Sequence, residues 1–233
     1  DRGYVVDQII LDQEIIKLTD WYTDDLFLFK DSITVKADFS RIFCDTERFS
    51  DDSQEVMAKY GMGVLYEKSD DGAVIREITT SLREDILSNY YWPHHNKLNQ
   101  AVNEQLESNG KALIVDCHSF PSRPLIRDLS QEDDRPDFNI GTDSFHTPNY
   151  LIEISKEFFK EKGYSLGIDL PYSGSIVPLN HYKKTKNVWS IMLEINRALY
   201  LNEPGNQKSN NYIKTKQTIT EYLKILKTAF EDL

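Results

Sequence analysis

Leu113-Ile114-Val115-Asp116-Cys117-His118-Ser119-Phe120-Pro121-Ser122 is the stretch whose reading decides the fold. Its apolar start after Gly110-Lys111 reads as a short buried strand. The run then turns polar at Asp116 and His118, and Pro121, which has no N–H to give a ladder, ends it. A histidine and a carboxylate thus stand at the carboxyl end of a core strand. In open α/β sheets ligands bind there, because the strand ends open into a crevice while the strand bodies are buried. The plainer alternative is a buried histidine satisfied by a backbone carbonyl. A second carboxylate weighs against it. Val188-Trp189-Ser190-Ile191-Met192-Leu193-Glu194-Ile195-Asn196-Arg197 carries Glu194 inside an apolar run, where burying an acid without a partner is costly.

Composition narrows the class. With 233 residues and 39% hydrophobic content the chain can bury one full core, so a single domain over 1–233 is expected. Its 38 Asp and Glu against 27 Lys and Arg give a formal charge of -11, which argues against a nucleic-acid or anionic-membrane surface. No apolar run approaches the roughly 20 residues of a membrane span, and no signal-peptide pattern opens the chain. Cys44 and Cys117 sit in apolar, strand-like runs as small core residues, and a reducing cytoplasm is the expected setting. The chain opens on Asp1 without an initiator methionine, as a processed or incompletely represented protein would.

Taken in order, residues 7–29 read as a helix with an apolar stripe from Ile9 to Phe27. Thr19-Asp20-Trp21-Tyr22-Thr23-Asp24-Asp25-Leu26 breaks that stripe. Asp20 and Asp24, four apart, would share a helix face, either as a solvated acidic surface or as a pair brought together by a cation. Ile33 to Ala37 alternates like a strand, and Arg41 and Arg48 follow. Arginine's planar fork matches a carboxylate, so these two are surface ion-pair partners unless the substrate is anionic. Gly61 to Tyr66 reads as a tight turn into a strand, and Asp70-Asp71-Gly72 as a hairpin.

Residues 80–108 read as helix, interrupted at 90–95, with Pro93 starting a fresh one. His94 and His95 are adjacent and point in different directions, which suits packing or substrate contact better than joint ligation. Residues 123–137 form a polar loop or flap, 138–148 a strand and turn, and 149–162 a helix closed by Gly163. A strand near 164–166 leads into a loop at 169–178, and 207–230 is the closing helix. Short apolar strands alternating with helices predict a three-layer αβα domain around a central sheet.

The motifs now carry a resemblance over nearly the whole chain. Thr-Asp-Trp-Tyr-Thr-Asp-Asp-Leu-Phe at 19–27, Ser-Arg-x-x-x-Asp-x-x-Arg at 40–48 and Gly-Met-Gly-Val at 61–64 come first. Asp-Cys-His-Ser at 116–119, Pro-Tyr-Ser-Gly at 171–174 and Glu-Ile-Asn-Arg-x-Leu-Tyr at 194–200 follow. In this order they resemble the N-formylglutamate amidohydrolase family, which is similar in fold to the zinc carboxypeptidases. The resemblance implies an α/β fold of phosphorylase/hydrolase type with a mixed central sheet. It implies zinc as cofactor, His118 as a ligand, one of Asp20 and Asp24 as another, with Asp20 preferred, and Glu194 as general base. It implies Arg48, with Arg41 nearby, as the clamp on a substrate carboxylate, and Asn196, Arg197 and Tyr172 as further substrate contacts. The family typically opens with a strand ending in a Pro-His-Ser-like motif whose histidine completes the metal site. That segment is expected to be missing ahead of Asp1.

With zinc present, two histidines and a carboxylate leave a fourth position for water, whose pKa falls towards about 7. Glu194 would take its proton, and Arg41 would help to stabilise the oxyanion. Asp116, two residues before His118, faces the same side of a strand and could orient its imidazole. The expected reaction is hydrolysis of an N-formyl or N-acyl amino acid, most simply N-formyl-L-glutamate to formate and L-glutamate, as in histidine degradation. The alternatives are a carboxypeptidase-like enzyme on peptides or cell-wall fragments, and a non-catalytic binding domain on the same fold.

Overall fold

In the computed structural model, residues 2–30 and 32–232 are described, so the expectations about Asp1 lie outside the described residues. The chain divides into two compact units. One comprises Asp1–Thr19, Val35–Leu98 and Leu125–Asp128; the other comprises Asp20–Thr34, Asn99–Pro124 and Leu129–Leu233. No helix among the described residues is long and apolar enough to cross a membrane.

The second unit holds the sheet. Strands β1 (Ala112–Phe120), β2 (Phe138–Gly141), β3 (Leu166–Ile168) and β4 (Val188–Asn196) lie in the order β1-β4-β2-β3. β1 runs parallel to β4, β2 antiparallel to β4, and β3 parallel to β2, so the sheet is mixed. Strand side chains alternate between faces. On one face Leu113, Val115, Ile191, Leu193, Ile195, Phe138 and Ile140 form an apolar layer. Two helices cover it, α5 (Asn149–Glu161) through Leu151, Phe158 and Phe159, and α6 (Tyr212–Glu231) through Ile219, Tyr222, Leu223 and Leu226. Ser155 Oγ and Tyr222 Oη, 2.6 Å apart, join the two helices in the dry interior.

The opposite face is divided along its length. At the strand starts Ala112, Ile114 and Val188 pack under Val102 and Leu106 of α4 (Trp92–Asn109). At the strand ends the same face becomes polar, with Asp116 and His118 on β1, Glu194 on β4 and Asn139 on β2. Helices thus flank both sides of a mixed sheet, the α/β architecture expected from the alternation of elements.

Several local expectations are corrected. Residues 7–29 are not one helix: α1 (Gln8–Leu18) ends before Asp20, and α2 (Thr23–Leu26) is a single turn. Tyr22, with φ 62°, takes the left-handed conformation between them, so Asp20 and Asp24 never share a helix face. Residues 33–37 form no strand among the described residues, and Ile33 is exposed. A strand-like pattern cannot persist alone, because its backbone groups need a neighbour. Residues 61–66 make a bridge between Met62 and Tyr66 rather than a strand, whereas Lys68 and Val74 do bridge across the Asp70-Asp71-Gly72 turn. The helical run from α3 (Thr80–Ile86) into α4 continues through a π-turn at Leu87–Tyr91, with Pro93 in the first turn of α4 as expected. The closing helix begins at Tyr212 because Gln207–Lys208 pairs with Leu201–Asn202 as a small hairpin, β5 and β6.

The first unit is rich in irregular backbone, so buried side chains must satisfy what ladders do not. Arg76, 1% exposed, donates from Nε to the Arg2 carbonyl and from Nη1 to the Phe43 carbonyl, both at 2.8 Å. Asp70 accepts the backbone N–H groups of Ile126 and Arg127, and Glu14 accepts that of Asp70. All three charged heads thus have partners that offset much of the penalty of burial.

His95 belongs to this unit, its ring 4.2 Å from the Tyr91 ring centre and its Nε2 3.0 Å from the Thr46 carbonyl. Burial, and then the neighbouring His94, depress its pKa from 6.5 to about 4 although the Thr46 carbonyl favours the protonated ring. The unfolded chain therefore takes up a proton below pH 6.5 that the folded chain refuses until about 4. Stability from this site is complete above that window and is lost as pH falls through it. Melting temperatures measured from pH 7.5 down to 4 should fall across the window, and His95→Gln should flatten the slope. An unaltered slope would assign the loss to another group.

Candidate active site

The polar end of the sheet's open face is built by register. His118 lies opposite Glu194 on the parallel neighbour, and Glu194 lies opposite Asn139 on the other side. Neighbouring strands run about 4.8 Å apart, so these three side chains form a row across β1, β4 and β2. Glu194 is 7% exposed and sits on a central strand, where an ionisable group needs a reason to be.

His118 has a carboxylate at each ring nitrogen. Nε2 is 2.9 Å from Asp116 Oδ1, while Asp116 Oδ2 accepts the Ile176 backbone N–H at 2.9 Å. Asp116 therefore orients the ring from the same strand face, and the loop at 169–178 orients Asp116 in turn. On the other side Nδ1 lies 3.4 Å from Asp20 Oδ2. That is long for a hydrogen bond. It equals the edge of a tetrahedral zinc site, since two ligands bonded at about 2.0–2.1 Å lie about 3.4 Å apart. Two acceptors facing one another also require a cation between them, whether a proton or a metal. A histidine nitrogen and a carboxylate oxygen are ligand types that zinc takes.

Asp20 reaches the site because the turn that carries it is anchored. Trp21, Tyr22 and Phe27 pack against the apolar layer under α5 and α6. Asp25 on α2 accepts from Tyr212 Oη at 2.6 Å and Lys216 Nζ at 2.5 Å, both on α6, and these bonds hold its carboxyl below the usual range. Asp24 lies in α2 itself, and its charge is felt at Tyr212, whose phenol is pushed up by burial, then by Asp25 and more weakly by Asp24. The structure thus brings Asp20 to His118.

Arg197 and Asn196 have partners inside the fold. Asn196 caps the short turn that follows β4, its Oδ1 accepting from Ala198 N and its Nδ2 donating to the Pro136 carbonyl. Arg197 donates from Nε to Ser119 Oγ at 3.1 Å and lies with Nη2 3.4 Å from Asp20 Oδ1. Tyr172 stands at the end of β1, its ring 5.8 Å from Phe120 and its hydroxyl accepting from Arg135 Nη1 at 3.1 Å. Its backbone carbonyl accepts from Asn139 Nδ2 at 2.8 Å. Sequence reasoning gave no role to Ser119, Tyr200, Asn139 or Arg135. Tyr200 is fully buried behind the group, and burial raises its phenol, countered by Ser119 and Arg197 and reinforced by the charges of Asp20 and Glu194. Ser119 and Tyr200 sat within quoted motifs and Asn139 within an apolar strand. Arg135 hid in an acidic run that reads as solvated loop.

Arg41 and Arg48 belong to the first unit, where both flank Asp45. Their Nε atoms lie 3.8 and 3.6 Å from Asp45 Oδ2, and Arg48 Nη1 lies 3.5 Å from Glu55 Oε1. None of these ion pairs has hydrogen-bond geometry, so the Arg48 fork is not closed around a carboxylate within its own unit. Burial pushes the Asp45 carboxyl up, but Arg41, Arg48 and the Tyr66 hydroxyl at 2.9 Å outweigh it and hold it low.

The sequence model of the N-formylglutamate amidohydrolase family matches residues 6–201, and the chain belongs to that family. The crystal structure of N-formylglutamate amidohydrolase from Ralstonia eutropha is similar at a TM-score of 0.82 and 21% identity, covering 100% of this chain and 90% of that one. A gene product of Agrobacterium tumefaciens is similar at a TM-score of 0.53 and 17% identity, covering 81% of this chain and 69% of that one. At these identities the likeness is one of fold. No curated protein matches the chain.

Asp45 is 2% exposed while its two arginines are about a quarter exposed, so the pair is partly screened. Asp45→Asn should therefore destabilise the protein by about 3 kcal/mol, the low end of the roughly 3–5 kcal/mol for breaking a buried pair. Urea denaturation measures this, and a loss below about 1 kcal/mol would show that Asp45 does not neutralise the two guanidiniums.

Proposed function

We propose that this chain hydrolyses N-formyl-L-glutamate to formate and L-glutamate, with zinc held by His118 and Asp20. The observation that carries the reading is the 3.4 Å separation of His118 Nδ1 and Asp20 Oδ2, with Asp116 fixing the far side of the ring. Family membership supplies the substrate class. Zinc bound there contributes Lewis acidity and lowers the pKa of water towards about 7.

The residues divide the remaining work. Asp116 fixes the imidazole so that Nδ1 faces Asp20. Glu194, in register beside His118, accepts a proton from the water that attacks the formyl carbon. It then delivers that proton to the amine nitrogen as the C–N bond breaks. Arg48, with Arg41, would clamp the substrate carboxylate, and Arg41 would stabilise the oxyanion.

Formate release from N-formyl-L-glutamate by the purified protein, with and without a chelator, tests the reaction. Glu194→Gln keeps the shape and cannot take the proton, so kcat should fall by about 10²–10⁴ while bound zinc stays at the native level. Turnover retained together with a lowered melting temperature would leave Glu194 a structural residue.

Arg48→Lys should raise KM with kcat near the native value, because an ammonium cannot reproduce a two-pronged contact. Native kinetics in Arg48→Lys beside a raised KM in Arg41→Lys would move the clamp to Arg41. His118→Ala and Asp20→Asn should lower the zinc content by elemental analysis, and Asp24→Asn should not.

A further inference from the structure

Asp20 has two oxygens in unlike surroundings. Oδ2 faces His118 Nδ1. Oδ1 accepts the Ser119 backbone N–H at 3.0 Å and the Ser119 hydroxyl at 2.8 Å, with Arg197 Nη2 at 3.4 Å. The Ser119 hydroxyl has one proton to give, and Arg197 Nε donates to its oxygen at 3.1 Å. Guanidinium nitrogens can only donate, so the chain of donation runs in one direction, from Arg197 through Ser119 Oγ to Asp20 Oδ1. The Arg197 side chain is 7% exposed, and its Nη2 also lies 3.4 Å from the Ser119 carbonyl. It starts the short 3-10 turn Arg197–Leu199, whose N-terminus Asn196 caps, so the end of β4 aims the guanidinium at the end of β1.

We propose that Arg197 is a positioning residue for the metal site, acting with Ser119 to hold one oxygen of Asp20 so that the other stays turned towards His118. A carboxylate left to itself rotates between binding a cation through one oxygen and through two. One whose Oδ1 is saturated by donors offers a single oxygen in a fixed direction. The positive charge also offsets the clustering of Asp20, Asp116 and Glu194 at one end of the sheet. This inference rests on Asp20 being a zinc ligand, and it replaces substrate contact as the expected role of Arg197.

The test is zinc affinity, measured by competition with a chromophoric chelator on folded protein, together with the visible absorption of the cobalt(II)-substituted protein. Arg197→Gln should weaken zinc by about 10–100-fold, the usual effect of losing a group that orients a ligand, and should alter the cobalt bands. Ser119→Ala should weaken it as well, and the double variant should fall short of the product of the two because both act along one path. Arg197→Lys, which keeps the charge and loses the fork, should recover part of the loss. A lowered melting temperature with native zinc affinity and native cobalt bands would make Arg197 a fold-stabilising residue and overturn the proposal. If the Arg197 variants do not fold, native affinity in Ser119→Ala overturns it equally. Asp20→Asn separates the two levels. Native zinc affinity in that variant means that Asp20 is no ligand, whereas a loss there beside native affinity in Arg197→Gln refutes the role of Arg197 alone.

Discussion

The parallel pairing of β1 with β4 in one register is the constraint on which the second unit depends. It sets Ala112 beside Val188 at one end and His118 beside Glu194 at the other. A slip of one residue in β1 would turn Asp116 and His118 towards the apolar layer under α5 and α6, and a slip in β4 would do the same to Glu194. The apolar residues at odd positions hold that register from below. The polar residues at even positions benefit from it above. One set of hydrophobic contacts therefore both stabilises the sheet and aligns the row of ionisable groups.

Chain direction adds the second condition. Because β1 and β4 are parallel, their carboxyl ends coincide, and the polar segments of both strands fall together where α4 no longer covers the face. The antiparallel β2 brings Asn139 to the same row from the opposite direction. Asn139 then holds the loop at 169–178 through Leu170 N and the Tyr172 carbonyl. An amide suits this place, since it can donate and accept at once without carrying a charge into the sheet.

Buried charge is handled differently in the two units. In the first, Arg76, Asp70 and Glu14 satisfy backbone groups of segments that lack ladders. In the second, the ionisable groups at the end of the sheet face each other. Carboxylates crowd one imidazole, with Arg197 and Ser119 behind one of them. The first arrangement serves the backbone of segments that lack ladders. The second gathers its ionisable groups around His118 at the polar end of the sheet.

The amino-acid sequence by itself determined the α/β class, the strands carrying His118 and Glu194, the helices on either side, and the pairing of Asp116 with His118. Those features follow from local periodicity and from alternation along a single strand, both of which lie within a few residues. It did not separate Asp20 from Asp24, because that choice depends on the left-handed turn at Tyr22 and on Asp25 being drawn to α6. Nor did it show the internal partners of Arg197 and Asn196. An arginine next to a motif looks the same whether its partner is a ligand or Ser119, 78 residues away. The strand pattern at 33–37 failed for a related reason, since alternation makes a strand only where another strand is present to accept it. Tertiary structure alone decided these points, because each is a contact between segments far apart in the chain, and local pattern carries no information about which distant groups will meet.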